Sequence, residues 1–214
     1  MATDNSNSVF EFRGVKDLFY AQILEDSEEN FRTLTPKRLS YVATISKETE
    51  SSSETHYYDN KGMIVIAAKG ATTYTLTVAP LKLDILADIT GQGFDPSTGA
   101  MYEIDEANLR YFAIGYKAKG TDGFYRYVWK YKGLFGIPSE EVNTESDSID
   151  TTNTELTYTA VTPVHKIGGG GLFDNESTSG IIVDERYGKL TGIDTWWTSN
   201  VQTAETIAEH VSTG

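Results

Sequence analysis

The chain has 214 residues, enough for one domain with a sizeable core, and no cysteine, which removes disulfide frameworks and thiolate metal sites. Its 31 acidic residues against 18 basic ones leave a net charge of -13, so it repels polyphosphate and is unsuited to tight nucleic-acid binding through counterion release. Aromatic residues at 12%, with abundant Thr, favour strands, because such side chains fit a pleated, half-buried surface.

Residues 1–13 are polar and predict an N-terminal arm. Leu18 to Leu24 and Leu39 to Ser46 read as strands, separated by the acidic turn Glu25-Asp26-Ser27-Glu28-Glu29. Lys47 to Asn60 is polar throughout and fits either a long loop or the tip of a long hairpin. Met63 to Ala68 is a compact apolar strand. Thr72 to Val78 alternates, with Tyr74, Leu76 and Val78 on one face and threonines on the other, the period of a sheet with one wet face.

A helix is predicted over about 80–90. Pro80 suits its first turn, Leu81, Ile85 and Ile89 form an apolar stripe, and Gly91 can end it. After a Gly/Pro/Asp loop, strands are expected at Ala100 to Ile104, Leu109 to Ala118 and Phe124 to Phe135. In the last, Tyr125, Tyr127, Trp129 and Tyr131 share a face, opposite Arg126, Val128, Lys130 and Lys132. Between Gly133 and His165 there is no lysine or arginine, and the tract carries Glu140, Glu141, Glu145, Asp147, Asp150 and Glu155. Glu155 to Val161 alternates again as a strand, Gly168 to Gly171 reads as a joint, and Ile181 to Val183 as a short strand. The pair Trp196-Trp197 and a weak helix or arm near Gln202 to Glu209 complete the chain. These elements predict a mainly β, mostly antiparallel domain with one helix.

Catalytic patterns are missing from the sequence. His56, His165 and His210 do not stand at metal-ligand spacing, and the acidic tract does not follow the calcium-loop pattern. The run Ile167-Gly168-Gly169-Gly170-Gly171 has no Lys-Ser/Thr after it, and no serine sits in a Gly-x-Ser-x-Gly elbow. The expectation is a protein that is not an enzyme and needs no cofactor or metal. The start of the chain lacks a signal-peptide pattern and no apolar run is long enough to span a bilayer, so no membrane partner is expected. The aromatic stripe reads first as core packing; a carbohydrate-binding platform on a β-sandwich is the alternative.

Arg110 to Lys119 (RYFAIGYKAK) and Tyr125 to Gly133 (YRYVWKYKG), followed by Pro138-Ser139-Glu140-Glu141, resemble the major tail proteins of long-tailed, non-contractile bacteriophages, mainly of Gram-positive hosts. Gly14 to Ala21 and Tyr58-Asp59-Asn60 agree with the same pattern, so the resemblance runs over residues 14–162. Residues past the Gly run match it only loosely. The resemblance implies an antiparallel β-sandwich or partial barrel flanked by one helix, within a tube domain at 14–165. The polar segment 47–60 would belong to that domain, and 166–214 would form a Gly-rich joint and C-terminal arm of the same unit.

It also implies a virion protein, assembled in the host cytoplasm, whose copies form stacked hexameric rings. Its partners would be itself, a tape measure protein, and tail terminator and distal tail proteins, with DNA passing through unbound. A tube subunit of a contractile or secretion-type injection device is a further alternative. Under this reading Arg126, Lys130, Lys132, Glu48, Glu50 and Glu54 are candidate contacts between subunits. Glu140, Glu141, Glu145, Asp147 and Asp150 form a candidate acidic lumen or interface segment.

Overall fold

A computed structural model describes residues 9–59, 61–139, 153–168, 177–187, 190–192, 195–197, 200–203 and 206–210. The protein is mainly β. One antiparallel sheet runs β2-β1-β8-β9-β10-β5-β4, with β3 also on β1 and β11 also on β9. In chain order the strands are β1 Phe12–Asp26, β2 Phe31–Thr33, β3 Lys37–Ser40, β4 Val42–Tyr58, β5 Lys61–Val78, β8 Phe112–Gly120, β9 Tyr125–Phe135, β10 Thr154–Val161 and β11 Gly180–Asp184. A two-stranded ribbon, β6 Gly93–Asp95 and β7 Ala100–Tyr102, follows the helix α1 Leu83–Thr90. The large sheet curls around a core without closing into a barrel.

Several strands differ from the sequence expectation for local reasons. Leu39 to Ser46 is not one strand. It breaks at Tyr41, so that Lys37–Ser40 pairs with β1 while Val42 onward pairs with β5. Conversely, Met63 to Ala68 and Thr72 to Val78 merge into one strand, because Lys69-Gly70-Ala71 contains no residue that stops pairing with β4. The N-terminal arm is shorter than expected, since Phe12 and Arg13 already belong to β1; residues 1–8 lie outside the described residues. Gly169 to Gly171 and the acidic tract from Glu140 to Asp150 lie outside them too. The helix begins at Leu83, because Lys82 is still extended (ψ 147°), so Pro80 precedes its first turn. Gly91, left-handed at φ 73°, ends it as expected.

The sheet has a core on each face. On the concave face Leu18, Tyr20, Leu39, Tyr74, Leu76, Val78, Phe112, Ile114, Leu156 and Tyr158 are buried with Ile89 of α1. The predicted helix stripe seals this side, with Leu81 and Ile85 packed at its margin. On the opposite face Tyr127, Trp129 and Tyr131 are covered by Ile167, Trp196, Trp197 and Val201 from the C-terminal region. Gly115 is required here, since a Cβ at that position would lie 2.6–2.7 Å from the Trp197 and Trp129 rings. Pairing between β8 and β9 slips by one residue between Phe112 and Ile114, and past the slip Phe135 joins the concave core although Tyr131 faces the other way.

Buried carboxylates tie the C-terminal cover to the sheet. Asp26 accepts hydrogen bonds from Lys132 Nζ (2.5 Å), the Val164 amide (3.0 Å) and the His165 amide (2.9 Å). Burial pushes its pKa up, but the His165 amide, Lys132 and the Val164 amide outweigh that and hold it below the usual carboxylate value. Asp184 of β11 pairs with Arg126 at 2.9 Å and Arg186 at 2.8 Å. Next to it, Glu185 accepts from the Tyr127 hydroxyl and the Tyr125 amide.

Candidate assembly surface

The two longest strands, β4 and β5, form one hairpin with two unlike halves. From Val78 back to Thr72, β5 is paired on both edges, by β4 on one side and by Thr154 to Ala160 of β10 on the other. Beyond Thr72 the pairing with β10 stops, while the pairing with β4 continues to Tyr58↔Lys61. Among the described residues nothing pairs with the outer edge of residues 61–71. At about 3.3 Å per residue, that is roughly 35 Å of strand with a free row of backbone donors and acceptors. The turn is set by Asp59, which adopts a left-handed φ of 48° that Asp tolerates better than most side chains.

Apolar side chains occupy both faces of this free half. Val65 projects on one face and Ile64 and Ile66 on the other by strand alternation, while Met63 stands at a pairing irregularity next to them. All four are exposed: Met63 and Val65 by about two thirds, Ile64 and Ile66 by about half. Tyr57 and Tyr58 near the turn are exposed as well. A strand apolar on both faces is the pattern of one buried on both faces. A two-stranded ribbon is also marginal in water without a third strand or a covering layer. Completing the burial of these four aliphatic side chains would contribute roughly 1 kcal/mol each, since they start about half covered.

The candidate contact residues take up three different positions. Glu48, Glu50 and Glu54 are exposed on β4, the polar partner strand of the hairpin, where a neighbour can reach them. Arg126 and Lys132 are already engaged within the chain, by Asp184 and Asp26 respectively. Lys130 lines a cavity at the foot of the hairpin with Lys47, Tyr74, Thr72 and Ser179. The aromatic stripe is core, because Trp129 is fully buried and Tyr127 and Tyr131 are nearly so. Of the stripe, Tyr125 alone is only partly buried, packed at the margin of the same core.

At the start of β9 the protein carries a local basic patch. Lys16, Lys117 and Lys119 place their ammonium groups 4.8, 5.3 and 5.6 Å from the Tyr125 ring centre. Lys117 is also bound to Asp17 at 2.6 Å, and Arg38 holds the same carboxylate at 2.9 Å. Asp17 sits at a pairing irregularity of β1 with a left-handed φ of 57°, so these two cations stabilise an otherwise unfavourable backbone. Sequence reading missed this cluster, whose members come from three strands; the run Lys117-Ala118-Lys119 was its one local sign.

Among the described residues no group of His, Asp and Glu side chains is arranged to hold a metal ion. No helix among them is long and apolar enough to cross a membrane. Compared with known proteins, the sequence matches no family model and no curated relative.

Proposed function

We propose that this protein is a tail tube subunit of a long-tailed, non-contractile bacteriophage. Copies join laterally into rings of six, rings stack around a tape measure protein, and the finished tube conducts DNA into the host. Terminator and distal tail proteins close its ends. The observation that carries this reading is the free half of the β4–β5 hairpin, with an edge unpaired among the described residues and apolar side chains on both faces. A monomer has no use for such a strand, whereas a neighbouring sheet would satisfy the edge and cover the side chains.

Magnitudes favour a polymer over a single pairwise contact. Hairpin burial worth several kcal/mol is comparable to the lower estimates for the loss of translational and rotational freedom on association, about 4–15 kcal/mol. One hairpin contact is therefore marginal. A subunit that both gives and receives a hairpin, and also meets its ring neighbours, gains several contacts for little additional entropy loss. The charge balance supports the same reading, because a net charge of -13 gives a conduit wall from which DNA is not retained.

Electron microscopy of the concentrated protein, alone and with the tape measure protein, tests the proposal. Six-membered rings and hollow tubes are the expected result. A protein that sediments as a monomer at every concentration, with and without that partner, would overturn it.

A further inference from the structure

Cross-strand pairing gathers the basic patch at the start of β9. Lys16 stands opposite Lys117, Lys117 opposite Tyr127, and Lys119 opposite both Gly14 and Tyr125, so these side chains share the face that carries Trp129. Two carboxylates stand nearby, and both are occupied. Asp17 is held by Lys117 and Arg38, and Glu185 accepts from the Tyr127 hydroxyl and the Tyr125 amide. Lys16 is exposed, Lys119 is partly buried, and neither forms an ion pair among the described residues. Both ammonium groups lie over the neutral Tyr125 ring instead. Lys16, hydrogen-bonded to the Tyr125 hydroxyl, holds that phenol below its ordinary pKa against the effect of burial, and Lys119 adds to this. The phenol thus registers a local excess of positive charge.

Lys117 and Lys119 are two residues apart on one strand, roughly 6.6 Å, and Lys16 lies one strand away, roughly 4.8 Å. A footprint of that size exceeds a single carboxylate and suits several carried by one segment. The sequence offers such a segment at 140–152, with Glu140, Glu141, Glu145, Asp147 and Asp150 and no lysine or arginine. In an extended chain, Glu145 and Asp147 repeat at the two-residue spacing of Lys117 and Lys119. A chain's own segment falls short of its own patch. Ser139 and Glu155 are bridged, so the residues between them close a loop that extends at most roughly 27 Å from the bridge. β9 carries the chain roughly 33 Å from Tyr125 to Phe135, and the bridge lies beyond its end.

We infer that the patch of Lys16, Lys117 and Lys119 around Tyr125 is a docking surface for the acidic segment 140–152 of a second copy of the chain. Copies at a net charge of -13 repel one another overall, so association needs local contacts of opposite sign. The patch and the segment supply one, and neither can satisfy the other within a single chain. The second copy rests on the self-assembling reading; the charge excess of the patch does not.

Two measurements test the patch and its occupant separately. In the first, a synthetic peptide of residues 139–153 is titrated into full-length protein kept unassembled by Val65→Ser/Ile66→Ser, with the Gly14, Lys119 and Tyr125 amide resonances followed by NMR. They should shift at millimolar peptide or below, and binding should weaken about tenfold after Lys16→Glu/Lys119→Glu. Unmoved resonances would overturn the docking surface, whatever the protein does on assembly. Tighter binding of a DNA oligonucleotide of equal charge would overturn the choice of partner. In the second, Gly14→Cys and Ser146→Cys copies are mixed under oxidising conditions. The chain has no cysteine of its own, and a Cβ at Gly14 meets nothing within 4 Å. Disulfide-linked dimers should form, fall about fivefold when the first copy also carries Lys16→Glu/Lys119→Glu, and return when the second adds Glu145→Lys/Asp147→Lys. Absence of linked dimers would overturn the second-copy assignment, while electron microscopy of the unmodified protein reports on the tube reading by itself. A disulfide closing within monomers of the double variant Gly14→Cys/Ser146→Cys would assign the patch to the chain's own segment and overturn it likewise.

Discussion

The two halves of the β4–β5 hairpin use the same strands for opposite ends. Near the core, Tyr74, Leu76 and Val78 alternate with threonines, and each apolar residue finds its place in the concave core. Beyond Thr72 the alternation is lost, and Met63, Ile64, Val65 and Ile66 present apolar surface to both sides. Alternation marks a strand whose burial is completed by its own chain. Its loss, in a strand that stays exposed, leaves apolar surface that another molecule can cover. The near half is expected to govern stability and the far half assembly.

That division can be broken by experiment. The largest effect is expected from replacing residues 51–69, a cross-strand pair at the base of the free half, by a two-residue Asn-Gly turn. Rings and tubes should be abolished while the thermal unfolding midpoint stays within a few degrees, as read by electron microscopy and calorimetry. Normal tubes from this variant would leave the hairpin without a role. Next, Leu76→Ala in the near half should destabilise the monomer by about 2–5 kcal/mol, measured by denaturant unfolding, because Leu76 is fully buried.

The double variant Val65→Lys/Ile66→Lys should reverse this pattern. Monomer stability should change by no more than about 0.5 kcal/mol per site, as for exposed positions. The concentration needed for assembly should rise about a hundredfold in sedimentation. A loss of monomer stability matching that of Leu76→Ala would erase the distinction between the halves.

The smallest effect concerns the clasp at the end of β1. The Asp26 pKa is lowered in the folded protein, so its contribution is complete above the ordinary carboxylate value near pH 4 and is lost as pH falls through the lowered one. Asp26→Asn should cost about 1–3 kcal/mol at neutral pH and flatten the fall in stability below about pH 4. An unchanged acid profile would show that the clasp to Lys132, Val164 and His165 contributes nothing measurable. Assembly competence at neutral pH should survive, because the clasp lies outside the hairpin.

Much of the architecture was readable where a residue's partner lies close in sequence or follows from a period. The Thr72 to Val78 strand, Ile85 and Ile89 of the helix, and the Gly91 stop depend on local geometry and stand where the periods place them, whereas Leu81 precedes the helix and packs at the margin of the core from outside it. The segment Lys47 to Asn60 was ambiguous because its strand character comes from its partner. Its own side chains are polar, and pairing with Lys61 onward makes it β4. Trp196 and Trp197 were conspicuous, but their packing depends on Ala21, Ala113 and Gly115, far away in sequence and informative only by being small. Arg126 and Lys132 read as free cations because Asp184 and Asp26 are 58 and 106 residues away.

By itself, then, the sequence determined the class of fold, the acidic character that disfavours retention of DNA, and the aromatic face of β9 that becomes core. Those follow from composition and from periods of two and 3.6, which any stretch of chain carries within itself. Tertiary structure decided which half of the hairpin is buried, which cations are already paired, and where Lys47, Tyr74 and Lys130 meet around one cavity. These depend on which strand lies beside which, and the end of β10 at Val161 is what frees the edge of β5.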